Sequence, residues 1–115
     1  MPDQIIYKIV ARDLWVEAER TGSLIGAPVD LADGYIHFST ASQVRETARR
    51  HFSGQSDLLL VSVNVDRLGD KLKWEPSRGG DLFPHLYGPL YTAWVTDVVE
   101  LPLGPDGHEF AGKIG

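Results

Sequence analysis

LLLVSVNV, residues 58–65, is the stretch that settles the fold class. Aliphatic residues lead into an alternation of Val61, Val63 and Val65 against Ser62 and Asn64, and a two-residue period belongs to a strand. Working outward, Ile5 to Val10 reads as a first strand and residues 35–38 as a short one. Leu72 and Trp74 alternate with Lys71, Lys73 and Glu75 as a half-exposed strand, and Tyr91 to Leu101 reads as a long last one. Helices come early. Asp13 starts one, with Leu14, Trp15, Ala18 and Thr21 near one face and Gly22 placed to end it. Thr40 and Gln43 have capping-box spacing, which predicts a helix over 41–52 with Ala41, Val44, Ala48 and Phe52 on its apolar face. Residues 24–34 carry turn chemistry throughout, residues 77–81 read as a mobile loop, and the Gly/Pro-rich tail reads as loosely held. The expected class is α+β: mostly antiparallel strands in two small sheets, two early helices, one domain over residues 1–115.

Composition narrows the function. The 115 residues carry a net charge of −5, which gives no general attraction to nucleic acid or an anionic membrane. Arg45, Arg49 and Arg50 form the one basic cluster, outside the helix's apolar period, where Arg49 and Arg50 complement the helix dipole. Cysteine is absent, which rules out disulfides, thiolate catalysis and cysteine-held zinc. The chain begins Met1-Pro2-Asp3-Gln4 without a charged and apolar leader, and its longest aliphatic run, Leu58 to Val61, is far short of the ~20 residues of a membrane helix. A cytoplasmic location is the expectation.

Two stretches carry chemistry. In Tyr35-Ile36-His37-Phe38-Ser39-Thr40, strand alternation sends Ile36 and Phe38 to the core and Tyr35, His37 and Ser39 to the other face. The helix beyond Thr40 offers unpaired N–H groups near that histidine, a setting for an anionic or polyhydroxyl ligand. The bland alternative is a surface histidine beside a capping threonine. In Phe83-Pro84-His85-Leu86-Tyr87-Gly88-Pro89-Leu90, an extended chain puts Phe83, His85 and Tyr87 on one side. Its prolines cannot donate to a ladder, so this segment reads as an edge strand or a shaped loop, forming a wall for a planar ring. The alternative is plain core around a satisfied histidine. No closely spaced metal-ligand pair, nucleophile elbow or phosphate loop occurs, and no metal is expected.

At these residues the chain resembles a small, largely bacterial domain-of-unknown-function family, the one numbered 952. Ile6-Tyr7-Lys8-Ile9, Trp15, Gly34 to Thr40 with Gln43, and Phe83 to Leu90 carry the resemblance. That family is grouped with the ADP-ribosyltransferase-like fold, whose members bind NAD in a cleft between two small sheets. The grouping implies ligand-contacting positions at Lys8, within residues 37–39 and around residues 85–87. Lys8 departs from the histidine or arginine expected first, and no glutamate stands in residues 83–91, which leaves Glu75 as the nearest carboxylate. The resemblance implies an enzyme acting on NAD or an ADP-ribose-like compound by ADP-ribosyl transfer or glycohydrolysis, with no other cofactor required. His37, His85 and Glu75 are then the catalytic candidates, and Lys8, Tyr35, Ser39, Thr40, Phe83 and Tyr87 the ligand-binding ones. The alternatives are a non-catalytic module for a nucleotide or small metabolite, and a protein-interaction domain using its aromatic face.

Overall fold

The computed structural model describes residues 4–114, so Met1-Pro2-Asp3 of the N-terminal segment and the tail's final Gly115 lie outside the described residues. Its centre is a three-stranded antiparallel sheet in the order β1 (Ile5–Ala11), β4 (Leu58–Asn64), β8 (Val95–Leu101). Alternation along these strands buries both faces. Ile6, Val10, Leu59, Val61 and Val63 pack with Trp15 and Ala18 of α1 (Arg12–Thr21) and with Ile36, Phe38, Leu86 and Leu90. Tyr7, Ile9, Leu58, Leu60 and Leu101 pack on the other side against Val44 and Ala48 of α3 (Val44–His51) and against Phe110.

Residues 24–34 depart from the expected loop. They begin with Leu24, the end of the short strand β2 (Ser23–Leu24), and contain the helix α2 (Pro28–Asp33). Pro28 opens that helix, where a missing N–H costs nothing, and Gly34 closes it at φ 87. What looked like scattered turn residues is the punctuation of one helix too short to show a period. Three α-helices therefore precede residue 52 among the described residues, rather than two. The one expected over 41–52 opens as turns, with Thr40 N donating to Gln43 Oε1, before α3 proper.

A second three-stranded sheet runs β3 (Ile36–His37), β6 (Leu82–Leu86), β5 (Leu72–Pro76), all antiparallel. The proline-bearing segment is therefore its central strand, neither an edge nor a loop. Pro84 keeps one ladder bond on the β3 side, its carbonyl accepting from Phe38 N at 3.0 Å just past the end of β3. Its missing N–H is on that same side, so the Phe38–Pro84 pair lacks the return bond and the β3 ladder stops at His37. The last strand is likewise broken: β7 (Leu90–Tyr91) pairs with β2, a 3₁₀ turn covers Thr92–Trp94, and β8 returns to the central sheet. Residues 77–81, expected to be mobile, close a turn in which Ser77 N donates to Asp81 O and Gly80 N to Ser77 O. The main chain joins the two larger sheets directly. Tyr7 N donates to Ser39 O at 2.8 Å, and Ser39 N returns the bond to Tyr7 O at 2.9 Å.

The tail is docked rather than loose. A small ribbon of β9 (Leu103–Gly104) and β10 (Gly107–His108) brings Phe110 to 6% exposure on the α3 side of the core. Phe110→Ala should therefore cost about 3–5 kcal/mol in urea unfolding, the usual price of emptying an aromatic core site. A loosely held tail would leave the midpoint unchanged.

Candidate functional site

The Tyr7–Ser39 bridge lays the chain just past the end of β3 beside β1 and so brings Lys8 near His37. Lys8 shares a face with Ile6 and Val10, where an ammonium at 5% exposure needs an anion. Asp30 of α2, 1% exposed, supplies it: Lys8 Nζ lies 2.9 Å from Oδ2 and 3.2 Å from Oδ1. The same carboxylate accepts from Ala27 N at 2.7 Å, from His37 N at 3.0 Å and from His37 Nδ1 at 2.6 Å. Burial by itself would push the Asp30 carboxyl up. The bonds from His37 and the charge of Lys8 outweigh it and hold the group well below the usual carboxylate range. Burial pulls the Lys8 ammonium down, and Asp30 opposes it.

His37 and His85 are cross-strand partners in the β3–β6 pair, with ring centroids 5.5 Å apart. They do not face each other across a cleft; they stand side by side on one wall. Their settings differ. Both ring nitrogens of His37 meet carboxylates, Nδ1 lying 2.6 Å from Asp30 Oδ1 and Nε2 2.9 Å from Asp33 Oδ2. His85, 3% exposed, donates from Nδ1 to Glu75 Oε1 at 2.8 Å, and its Nε2 makes no hydrogen bond among the described residues. Tyr87 Oη donates to that same Glu75 oxygen at 2.8 Å. The bonds from His85 and Tyr87 lower the Glu75 carboxyl, and the Tyr87 phenol is raised in return. Tyr35 stacks on His85 with centroids 4.1 Å apart and lies 5.2 Å from the Tyr87 ring.

A cleft of about 620 Å³ opens on this wall. Lys8, His37, Ser39, Phe83 and His85 line it, facing Leu14, Pro28 and Val29 on one side and Thr47 and His51 on another. The fold thus gathers five of the nine residues singled out in the sequence onto one surface. Tyr35 and Glu75 each meet both His85 and Tyr87, and none of Tyr35, Glu75 and Tyr87 lines the cleft. Thr40 does not line it either: it is buried, and its Oγ1 meets Ser42 Oγ at 3.1 Å. Ser39 Oγ is 2.7 Å from Thr47 Oγ1. No group of three or more metal-ligating side chains among the described residues could hold a metal ion.

Asp30 and Asp33 were missed because both read as turn residues. One signal pointed to a partner: a lysine between Ile6 and Val10 on one strand face cannot be buried without an anion.

Fold and site define a class, a small α+β domain with a paired-histidine wall beside a cleft. Residues 9–98 match the family described as protein of unknown function DUF952, and the chain belongs to that family. The crystal structure of protein CC0527 from Caulobacter crescentus is 47% identical, with a TM-score of 0.90 over 93% of this chain and 95% of that one. The solution NMR structure of CC0527 is 49% identical, with a TM-score of 0.82 over 90% of each chain. No curated protein is significantly similar. No helix among the described residues is long and apolar enough to cross a membrane.

A carboxyl lowered in the native state stabilises the fold above its ordinary pKa, about 4. That contribution is lost as pH falls through the lower native value. Urea midpoints should therefore drop as pH is taken below about 4, and Asp30→Asn should remove part of that drop. An acid limb unchanged in the variant would rule out Asp30 as its source.

Proposed function

We propose that this cleft binds a nucleotide-like ligand, NAD or ADP-ribose among the candidates, and that the Glu75–His85 pair acts on it as a base. The observation that carries the reading is the side-by-side placement of His37 and His85 on one cleft wall, with His85 Nε2 unengaged among the described residues. A carboxylate on Nδ1 fixes the tautomer that leaves a lone pair on Nε2, the arrangement of an activated base. At about 620 Å³ the cleft suits a small-molecule ligand. Lys8, Ser39 and His85 share its wall, consistent with the positions that the ADP-ribosyltransferase-like grouping implies, and Phe83 lies beside them.

In the catalytic form of this reading, His85 Nε2 takes a proton from water or an acceptor hydroxyl as that oxygen bonds to the ribose C1′. The bond from C1′ to the nicotinamide nitrogen breaks, and its electron pair stays on the departing ring. No other cofactor is needed, and a cytoplasmic setting belongs to the same reading. One observation favours binding without turnover: the Glu75 carboxylate is already engaged by His85 and Tyr87 instead of standing open to a cationic sugar.

Incubation with NAD should release nicotinamide above background, and His85→Ala should reduce the rate on the order of a hundredfold. Calorimetric binding of ADP-ribose without nicotinamide release would assign the non-catalytic form. Absence of both nicotinamide release and ADP-ribose binding would sink the nucleotide reading.

A further inference from the structure

Asp30 does more than neutralise a buried lysine. A buried ion pair pays a desolvation cost that its attraction only repays, and apolar residues of similar volume often serve a fold as well. Lys8 sits beside Ile6 and Val10, where such residues would pack, so stability alone does not account for the pair. The surroundings are nonetheless built around this carboxylate. At Gly26, φ is +126°, and a Cβ there would lie 2.7 Å from Asp30 Cβ, so the loop makes room for it. Four donor groups converge on its two oxygens, and two of them belong to His37.

The two carboxylates on His37 are not equivalent. Asp30 is fully buried, whereas the Asp33 side chain is 45% exposed and lines the cleft at the end of α2. An incoming anionic oxygen can displace Asp33 from His37 Nε2; it cannot displace Asp30 from Nδ1. We propose that Asp30 is the positioning residue of this site, holding His37 as a fixed proton donor for an anionic oxygen of the ligand, which takes the place of the Asp33 carboxylate. His85 is left as the proton acceptor of the pair. The ligand class is then one that presents an anionic oxygen to His37 and a hydroxyl or water to His85, as a ribose phosphate does. The ligand half of this assignment rests on the nucleotide reading above; the role of Asp30 toward His37 does not.

The test replaces the ion pair by apolar residues, Lys8→Met with Asp30→Leu, and compares it with Asp33→Ala. Ring ¹⁵N–¹H correlation spectra of the ligand-free protein report which His37 nitrogens carry protons, and calorimetry reports ADP-ribose binding. In the parent chain both His37 nitrogens should carry protons; the double variant should fold, lose that pattern, and bind ADP-ribose about tenfold more weakly, the loss of one charge-assisted contact. Asp33→Ala should bind at least as tightly as the parent chain. A double variant that keeps the His37 pattern overturns the role of Asp30 whether or not ADP-ribose binds. An Asp33→Ala affinity that falls as far as the double variant's overturns the displacement. If the unsubstituted chain binds no ADP-ribose but the spectra change as expected, the nucleotide reading fails and the positioning role stands. Asp30→Asn, read by the same spectra, serves where the double variant does not fold.

Discussion

A carboxylate enclosed between a strand, a helix and a loop must be answered by donors, and in this protein the answers define the architecture of the site. Asp30 ties α2 to β1 through Lys8, to β3 through the main chain and ring of His37, and to its own helix start through Ala27 N. Each bond shortens the list of places those elements can occupy. Removing the carboxylate alone would strand a buried ammonium, and removing the lysine alone would strand the carboxylate. The geometry is therefore held as a unit.

A second constraint is the main-chain bridge from Tyr7 to Ser39. It makes the end of β3 an extension of the central sheet at the β1 edge, while the body of β3 belongs to the sheet of β6 and β5. The cleft lies along this junction, walled by the two sheets and by the three helices. A histidine on β3 and a histidine on β6 share a face because the register pairs them. Glu75 joins them from β5, opposite Phe83, with its carboxylate turned toward His85 and Tyr87.

Much of the fold was legible. The runs at residues 5–10 and 58–65 became the buried strands β1 and β4, with Val65 already in the turn beyond, and the alternation that sent Ile36 and Phe38 inward holds. Gly22 ends its helix in the left-handed region, as its placement suggested. The misreadings have local causes. A six-residue helix leaves no period to read, so α2 passed for a loop. Prolines argue for an edge because each costs a central strand a ladder bond, and at Pro84 that loss falls opposite Phe38, just past the end of β3. The tail looked loose because a single aromatic, Phe110, anchors it.

By itself the sequence determined which residues face inward, where the helices are punctuated, and which polar side chains stand beside the two histidines along their own strands. These are local matters, decided by period, capping and turn chemistry. Only the tertiary structure decided that His37 and His85 are neighbours on one wall, that His37 is gripped by Asp30 and Asp33 while His85 keeps a nitrogen unengaged among the described residues, and that Lys8 serves Asp30. Strand register and the burial of charge depend on partners far away in the chain, and no local pattern encodes them.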